Sequence, residues 1–303
     1  MRVVFMGSGE IGVPALRWLI AAPDIDLVGV VTQPDRPAGR GLQVKAGAIK
    51  QLALEQGMAV LQPARVRAPE SIAQIAALEP DVLVVMAYGQ ILPQQLLDVP
   101  RLGALNLHAS LLPKHRGAAP VHAAVLAGDL ASGVTVMWMD AGLDTGDILL
   151  AKPCALGPEE TAGSLHDKIA EVAPAALAEA LALIKEGRAP RLPQDSALAT
   201  YAPKLDRRLG RIDWSKSAEE IERTIRGLYP WPGCTAIVEL EGGKRLDLKI
   251  HRAAMSMEAP DPSVLRFPCA GGGVVQLLEV QPAGGRRMSA GDFVRGNKVS
   301  RAV

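Results

Sequence analysis

The stretch Asp81-Val82-Leu83-Val84-Val85-Met86-Ala87 decides the fold of this 303-residue chain. Its apolar residues follow one another without the polar alternation of a half-exposed strand, which is typical of a parallel strand covered on both faces. Helical patterns near residues 46–55 and 70–78 precede it. The stretch therefore predicts an α/β fold with a predominantly parallel sheet.

The N-terminus adds a strand at residues 2–6, a glycine turn and a helix to about residue 21. The turn Gly7-Ser8-Gly9-Glu10-Ile11-Gly12 matches the G-x-G-x-x-G pattern of dinucleotide-binding folds, and Asp35 lies about 20 residues beyond it. Asp35 follows a proline in a basic loop, however, and not a clean strand end. A nicotinamide cofactor stays as an alternative to a tight turn in a Rossmann-like unit.

On the C-terminal side, a strand at residues 103–107 leads into Asn-Leu-His-Ala-Ser-Leu-Leu-Pro-Lys-His-Arg-Gly-Ala-Ala-Pro at 106–120. Because strand side chains alternate between faces, Asn106 and His108 share one face. An asparagine amide donates hydrogen bonds without ionising, and a histidine can donate to an oxyanion or exchange a proton near neutral pH. The pair predicts chemistry at a carbonyl group.

A carboxylate that could orient the imidazole is Asp144, which follows an apolar strand predicted at residues 133–138. No serine or cysteine occupies an evident nucleophile turn, which favours direct transfer between bound substrates over a covalent acyl-enzyme. Asp140 and Asp147 lie near Asp144, but no histidine stands at ligand spacing beside them, so we expect no metal.

The other histidines are expected to be structural. His115 lies among charged loop residues and is predicted to be exposed. His122 and His166 fall on predicted helices, and His251 on a C-terminal strand. Such positions are more often surface or satisfied core residues than catalytic ones.

Residues 33–44 form a predicted loop rich in glycine, proline and arginine, and long loops inside compact domains are usually functional. Between residues 32 and 50 the basic residues are Arg36, Arg40, Lys45 and Lys50, against one acid, Asp35. The loop could contact phosphates, or it could be a solvated surface loop.

The C-terminal part is predicted to be a small β-barrel. The alanine-rich pattern at 161–187 predicts a long helix, and residues 188–203, with three prolines and no clear period, predict a linker. Ser217 and Glu220 form a capping-box pattern that opens another helix. Short strands separated by glycine turns are predicted at residues 234–240, 245–252, 262–267, 274–280 and 286–288.

Composition describes an ordinary water-soluble protein, with 49% hydrophobic and 21% charged residues. The three cysteines have no paired spacing, which fits a reducing cytosol, and no stretch approaches the roughly 20 apolar residues of a membrane span. Residues 204–303 carry 17 Lys and Arg against 12 Asp and Glu, net +5, and the remainder is net −4. The basic part could meet a phosphate backbone, although such a charge is also common on solvated surfaces.

Taken together, the motifs resemble the formyltransferases that use 10-formyltetrahydrofolate, and in detail the branch that acts on methionyl-tRNA. The resemblance rests on Asn-x-His-x-Ser-Leu-Leu-Pro, Arg-Gly-x-x-Pro and Asp-x-Gly-x-Asp-Thr-Gly-Asp at residues 106–147. It extends to residues 32–41, to Arg-Ile-Asp-Trp at 211–214 and to Pro-Trp-Pro at 230–232. Nearly the whole chain is covered.

The resemblance implies a Rossmann-like catalytic domain at 1–188, a linker at 189–205 and an OB-like β-barrel that binds tRNA at 206–303. It implies transfer of the formyl group from 10-formyltetrahydrofolate, a consumed co-substrate, to the α-amine of methionyl initiator tRNA in the cytoplasm. No bound cofactor and no obligate protein partner are implied. The implied catalytic residues are Asn106, His108 and Asp144; the folate contacts are Ser110, Leu111, Leu112 and Pro113; the tRNA contacts are Arg36, Arg40 and Lys45.

Two further folate contacts come from position in the sheet. Tyr88 and Ile91 follow the strand at 81–87, and loops at the carboxyl ends of parallel strands line ligand crevices. They could wall the folate pocket or pack in the core. A relative that formylates a sugar-nucleotide amine or glycinamide ribotide would share the catalytic residues but need neither the basic loop nor this C-terminal part, and an RNA-binding protein without activity would not need Asn106 and His108.

Overall fold

The computed structural model describes residues 1–38 and 43–303, and these residues form two compact units. The first unit comprises Met1–Gly117, Ala131–Ala155 and His166–Tyr201. The second comprises Ala118–Leu130, Leu156–Leu165 and Ala202–Val303.

The strands of the described residues follow in chain order: β1 Arg2–Gly7, β2 Asp26–Val31, β3 Arg36–Ala38, β4 Gln43–Lys45, β5 Val60–Leu61, β6 Val82–Met86, β7 Gly103–His108, β8 Arg116–Gly117, β9 Ala131–Trp138, β10 Ile148–Ala155, β11 Tyr201–Ala202, β12 Cys234–Leu240, β13 Arg245–Ser256, β14 Arg266–Pro268, β15 Val274–Pro282, β16 Met288–Ser289 and β17 Val299–Ala302. The α-helices are α1 Val13–Ala21, α2 Ala48–Glu55, α3 Pro69–Ala76, α4 Gln94–Leu97, α5 Pro120–Ala127, α6 Ala162–Lys185, α7 Ala218–Gly227 and α8 Ala290–Gly296. Short 3₁₀ helices lie at Glu10–Gly12, Ser196–Leu198, Arg207–Gly210 and Pro262–Val264.

The first unit is built on a seven-stranded sheet in the order β10-β9-β7-β6-β1-β2-β5. Strands β1, β2, β5, β6 and β7 pair in parallel, whereas β9 and β10 are antiparallel at one edge. Every residue of β6 is buried, as the unbroken apolar run requires. The predicted α/β class with a predominantly parallel sheet is confirmed.

The helices of both units follow local sequence signals. Pro120 occupies the first turn of α5, where its missing N–H costs no helical hydrogen bond, and Gly128 ends the helix in the left-handed region with a φ of 73°. The long helix predicted from its alanine content is α6, which contains Pro174. None of the helices formed by the described residues is long and apolar enough to cross a bilayer.

The second unit contains an antiparallel sheet in the order β14-β15-β13-β12-β17, with β16 paired to β15, which forms the predicted small, nearly closed barrel. Its core includes Phe267, whose ring centroid lies 5.2 Å from that of Trp214. The predicted capping box is present, since Ser217 Oγ accepts from the Glu220 N–H and Glu220 accepts from the Ser217 N–H.

Three predictions of secondary structure need correction, one in the first unit and two in the second. The strand predicted at 286–288 begins only at Met288, as β16. The strand predicted at 262–267 is wrong at residues 262–265. Pro262–Val264 form a 3₁₀ helix, which Asp261 caps by accepting from the Ser263 N–H and which ends at Leu265, with a φ of 54°. Within the loop predicted at 33–44, residues 36–38 and 43–44 belong instead to strands β3 and β4, which pair antiparallel.

Candidate active site

The end of β7 directs two polar side chains at one carboxylate. Parallel pairing with β6 and antiparallel pairing with β9 fix the register of β7 on both sides. Asn106 Nδ2 donates to Asp144 Oδ1 over 3.2 Å. His108 Nδ1 lies 3.6 Å from Asp144 Oδ2. The structure therefore brings together the three residues that the sequence selected as catalytic candidates.

Asp144 is held in the loop between β9 and β10, in the left-handed backbone region with a φ of 54°. The main-chain N–H of Gly117 donates to its Oδ2 over 2.8 Å. The Asp144 side chain is only 12% exposed. One side-chain donor and one main-chain donor thus hold the carboxylate beside the imidazole.

His108 is buried, and its two ring nitrogens have different neighbours. Nε2 lies 2.9 Å from the main-chain oxygen of His115, and because a carbonyl oxygen only accepts, Nε2 carries a proton. Burial lowers the pKa of His108, and the Asp144 charge and the His115 carbonyl oppose that shift. The neutral ring therefore presents an unprotonated Nδ1 to Asp144, and a proton accepted there would complete an ion pair.

The prediction that His115 is exposed is wrong, since only 8% of the residue is accessible. Its backbone adopts a φ of 60°, and its N–H donates to Thr200 Oγ1 over 2.8 Å. The contribution of His115 to the site is its main-chain oxygen, which accepts from His108. Charge patterning along the chain carries no information about such a main-chain contact.

The loop after β7 is fastened to β9. Thr135 Oγ1 donates to the main-chain oxygen of Ser110 over 2.7 Å and accepts from the N–H of Leu112 over 3.1 Å. The Ser110 hydroxyl donates to the Lys114 carbonyl over 2.6 Å. Ser110 and Leu112 are buried, whereas Leu111 and Pro113 are half-buried. The four predicted folate contacts therefore form one ordered segment directly after His108.

Tyr88 and Ile91 are not in similar environments. Tyr88 is buried in an apolar cluster, and burial raises the pKa of Tyr88 to about 12. Its hydroxyl has no hydrogen-bond partner among the described residues. Ile91 is 82% exposed. Of the two alternatives that the sequence left open, pocket wall or core, Tyr88 has the core position. Ile91 remains accessible to a ligand.

Two amides of the glycine turn after β1 are engaged within the protein and are not free for a phosphate. The N–H groups of Ser8 and Gly9 both donate to the main-chain oxygen of Ala87, over 3.2 and 3.3 Å. A Cβ on Gly7 would lie 2.9 Å from the carbonyl oxygen of Met86, so this glycine allows close approach of β6. The G-x-G pattern here joins two strands.

Asp35, the residue at the ribose-binding position of a dinucleotide motif, is engaged elsewhere. Lys50 Nζ lies 2.5 Å from its carboxylate, and Gln62 Nε2 donates to it over 2.9 Å. These contacts lower the pKa of Asp35, with the Lys50 hydrogen bond as the largest cause. Lys50, one of the four basic residues between positions 32 and 50, is therefore paired with the one acidic residue of that segment.

The basic hairpin of β3 and β4 places Arg36 directly opposite Lys45, and both side chains are exposed. Like charges directly opposite each other on neighbouring strands are destabilising, so this arrangement suits a polyanion that neutralises both. Arg40, the third predicted tRNA contact, lies outside the described residues.

The acidic residues around Asp144 do not form a ligand set. Asp140 accepts from the Gly142 N–H and the Thr145 hydroxyl over 3.0 and 2.8 Å, and so stabilises its own turn. Among residues 1–38 and 43–303, no group of three or more histidine, cysteine or acidic side chains has metal-binding geometry.

Sequence reasoning missed the main-chain groups of Gly117 and His115, which no side-chain pattern could reveal. It also missed Gln194, whose amide donates to the main-chain oxygens of Asp144 and Gly146 over 3.0 and 2.7 Å. Gln194 lies in the segment that was predicted to be a linker. A single polar residue between prolines gives no periodic signal.

Comparison with known proteins places these features in context. The profile of the formyl transferase family matches residues 1–181, and that of the formyl transferase C-terminal domain matches residues 204–298. The methionyl-tRNA formyltransferase of Geotalea uraniireducens strain Rf4 is 44% identical over 308 aligned residues, covering 99% of this chain and 96% of that protein. The protein of the same name from Pseudomonas paraeruginosa strain PA7 is 45% identical over 300 aligned residues, covering 97% and 95%.

Two solved structures share the fold at low identity. WlaRD, a sugar 3N-formyl transferase crystallised in the presence of dTDP and 5-N-formyl-THF, has a TM-score of 0.67 at 16% identity and covers 94% of this chain and 99% of that one. HypX from Aquifex aeolicus in complex with tetrahydrofolic acid has a TM-score of 0.61 at 16% identity, covering 99% of this chain and 49% of the longer HypX chain.

Proposed function

This chain belongs to the formyl transferase family, and we propose that it transfers the formyl group of 10-formyltetrahydrofolate to the α-amino group of methionyl initiator tRNA. The product would be N-formylmethionyl-tRNA for translation initiation, and the site of action the cytoplasm. The folate is a donor co-substrate, consumed in each turnover. Similarity to methionyl-tRNA formyltransferases along almost the whole chain supports this choice of acceptor.

The observation that carries the proposed chemistry is the arrangement of Asn106, His108 and Asp144. Formyl transfer to an amine needs a donor for the charge that develops on the formyl oxygen and an acceptor for the proton that the amine loses. Asn106 Nδ2 has two hydrogens and uses one on Asp144, so the second can serve the oxyanion. His108 Nδ1, unprotonated and facing Asp144, can take the proton.

The formyl group can pass directly from the folate to the amine, without a covalent enzyme intermediate. The neutral α-amine attacks the formyl carbon while Asn106 stabilises the oxyanion. His108 accepts the proton at Nδ1 and becomes an imidazolium held by Asp144. The bond between the formyl carbon and the donor nitrogen then breaks, and the proton returns from His108 to that nitrogen. Protonated at Nδ1, His108 can also donate to the oxyanion, as the sequence predicted.

For the donor, the proposed contacts are the segment 110–113 and the exposed side chain of Ile91, with Tyr88 supporting the pocket wall from the core. The segment follows the catalytic histidine directly and is fastened by Thr135. A rigid segment of this kind would hold the reacting carbon near Asn106 at little entropic cost on binding.

For the acceptor, the proposed contacts are Arg36, Arg40 and Lys45. The cross-strand pairing of Arg36 with Lys45 leaves two exposed like charges adjacent, which a phosphate backbone would neutralise. We assign the formyl transfer to residues 1–188 and further tRNA contacts to the net-basic residues 206–303, joined by the segment 189–205.

The direct test is an assay with the intact chain, 10-formyltetrahydrofolate and methionyl initiator tRNA. The methionine is then cleaved from the tRNA by base, and its mass is measured by mass spectrometry. A gain of one formyl group on methionine is expected, at a rate that depends on enzyme concentration. A purified, folded chain that leaves the methionine unmodified would refute the proposed function.

A further inference from the structure

We propose that residues 192–200, here called the strap, position the catalytic groups, with Gln194 fixing Asp144 and Thr200 fixing the acceptor of His108. The inference rests on the proposed function, because it assigns roles in that reaction. The strap would thus contribute to catalysis, although the sequence predicts only a linker at these positions.

The first contact is the amide of Gln194. Its Nε2 donates one hydrogen bond to the main-chain oxygen of Asp144 over 3.0 Å and another to that of Gly146 over 2.7 Å. Both amide hydrogens are therefore used on the loop that carries the catalytic carboxylate. Its Oε1 accepts from Nε and a terminal nitrogen of Arg116 over 3.1 and 2.7 Å. Arg116 is almost completely buried, so the glutamine is held from its far side.

The loop needs such a restraint because of its backbone. Asp144 is a non-glycine residue in the left-handed region, a conformation that persists only where surrounding contacts maintain it. Gly146 lies so close to β9 that a Cβ would fall within 1.8 Å of the Trp138 carbonyl oxygen. Gln194 ties the residues on either side of position 145 at once. Its amide therefore fixes the main chain from which the Asp144 carboxylate projects.

The second contact is Thr200. Its Oγ1 accepts from the His115 N–H over 2.8 Å, and its main-chain oxygen accepts from the Arg116 N–H over 2.8 Å. His115 is also a non-glycine residue in the left-handed region. The His115 carbonyl holds the proton-bearing Nε2 of His108, so Thr200 controls the orientation of the imidazole through one intervening residue.

The strap is anchored before it reaches these loops. Leu192 exchanges two main-chain hydrogen bonds with Ile148, over 2.8 and 3.0 Å. The preceding Pro190 accepts from Trp138 Nε1 over 2.9 Å, and the Arg191 guanidinium lies 4.1 Å from the Trp138 ring centroid. The segment therefore starts on the β9–β10 edge of the sheet and ends on the loop after His108. It spans the two halves of the catalytic site within the first unit.

The test compares Gln194→Glu with Gln51→Glu. The first substitution keeps an acceptor for Arg116 but replaces both amide donors by oxygen, which repels the carbonyls of Asp144 and Gly146. Gln51 is a matched control on α2, where its amide donates to the main-chain oxygen of Ala46 at an exposed position. We expect Gln194→Glu to lower kcat about tenfold or more, as loss of a positioning hydrogen bond does, with KM for the tRNA nearly unchanged. Gln51→Glu should match wild type.

A second pair of variants separates positioning from folding. Thr200→Val removes the hydroxyl at constant shape, and Thr200→Ser retains it, so kcat should fall in the valine variant and recover in the serine variant. Wild-type kcat in Gln194→Glu and Thr200→Val would overturn the inference. So would a rise in KM without a fall in kcat, or equal losses in the valine and serine variants. A wild-type chain that fails to formylate methionyl-tRNA would refute the proposed function itself, which is a distinct result.

Discussion

Replacing Asn106 by alanine should slow formyl transfer about 10²- to 10³-fold, the usual cost of removing one oxyanion donor. In energy this is about 3 to 4 kcal/mol on the transition state. The structure supports a cost of this size because β7 fixes the amide beside His108 and one of its hydrogens has no other described acceptor. The ground-state cost is smaller, since Asp144 Oδ2 retains the Gly117 donor and the lost hydrogen bond contributes about 1.5 kcal/mol.

The assay for this variant is single-turnover transfer with enzyme in excess over methionyl-tRNA, which separates chemistry from binding and product release. Thermal unfolding confirms that the variant is folded. The control is Asn297→Ala, which removes the second of the two asparagines in the chain. Asn297 Nδ2 donates to the Phe293 carbonyl on α8, so its loss should leave the single-turnover rate unchanged. A folded Asn106→Ala variant with a rate within threefold of wild type would refute the assigned role.

Three further predictions follow from the same geometry. Asp144→Asn should lower the rate at least tenfold, because the amide cannot stabilise the imidazolium, and it should lower the His108 pKa further, as read from the imidazole resonances by NMR. The double variant Arg36→Ala, Lys45→Ala should raise KM for the tRNA and reduce the slope of log KM against log salt by about 2, one per lost phosphate contact, while Arg17→Ala on the exposed face of α1 changes neither. The free energy of unfolding should fall as pH drops below about 6.5, by up to about 1.4 kcal/mol per pH unit, as measured by urea unfolding. The reason is that the pKa of His108 is lowered in the folded chain, so the unfolded chain binds the proton at higher pH.

A specific result would contradict each of these three predictions. Full activity in Asp144→Asn would remove the carboxylate from the mechanism. An unchanged salt dependence in the double variant would exclude the hairpin as a phosphate contact. For the pH effect, the comparison is His108→Gln: the loss of stability below pH 6.5 should be smaller in that variant, and equal losses would show that other groups cause it.

The parts of this molecule that follow local periodicity were predictable. The apolar run at 82–86 became the fully buried β6, and strand alternation placed Asn106 and His108 on one face. The capping box at Ser217 formed as its spacing indicates. In each case the residues that decide the structure lie within a few positions of one another.

The parts that depend on distant main-chain groups were not predictable. His115 looked like an exposed loop residue, but it is buried, and its N–H donates to Thr200, 85 positions away. Gln194 lies among prolines in a segment without a period, yet it holds the backbone of Asp144. A left-handed backbone at Asp144 or Leu265 also has no reliable side-chain signal, which is why the strand predicted at 262–267 was wrong in part.

The most direct test of the central claim is a competition for one formyl donor. The intact chain is given 10-formyltetrahydrofolate with equal concentrations of methionyl initiator tRNA, methionyl elongator tRNA and a sugar-nucleotide amine, and the three formylated products are quantified together by mass spectrometry. Formylation predominantly of the initiator tRNA, lost in Asn106→Ala, is the predicted result. Predominant formylation of the sugar nucleotide would contradict it.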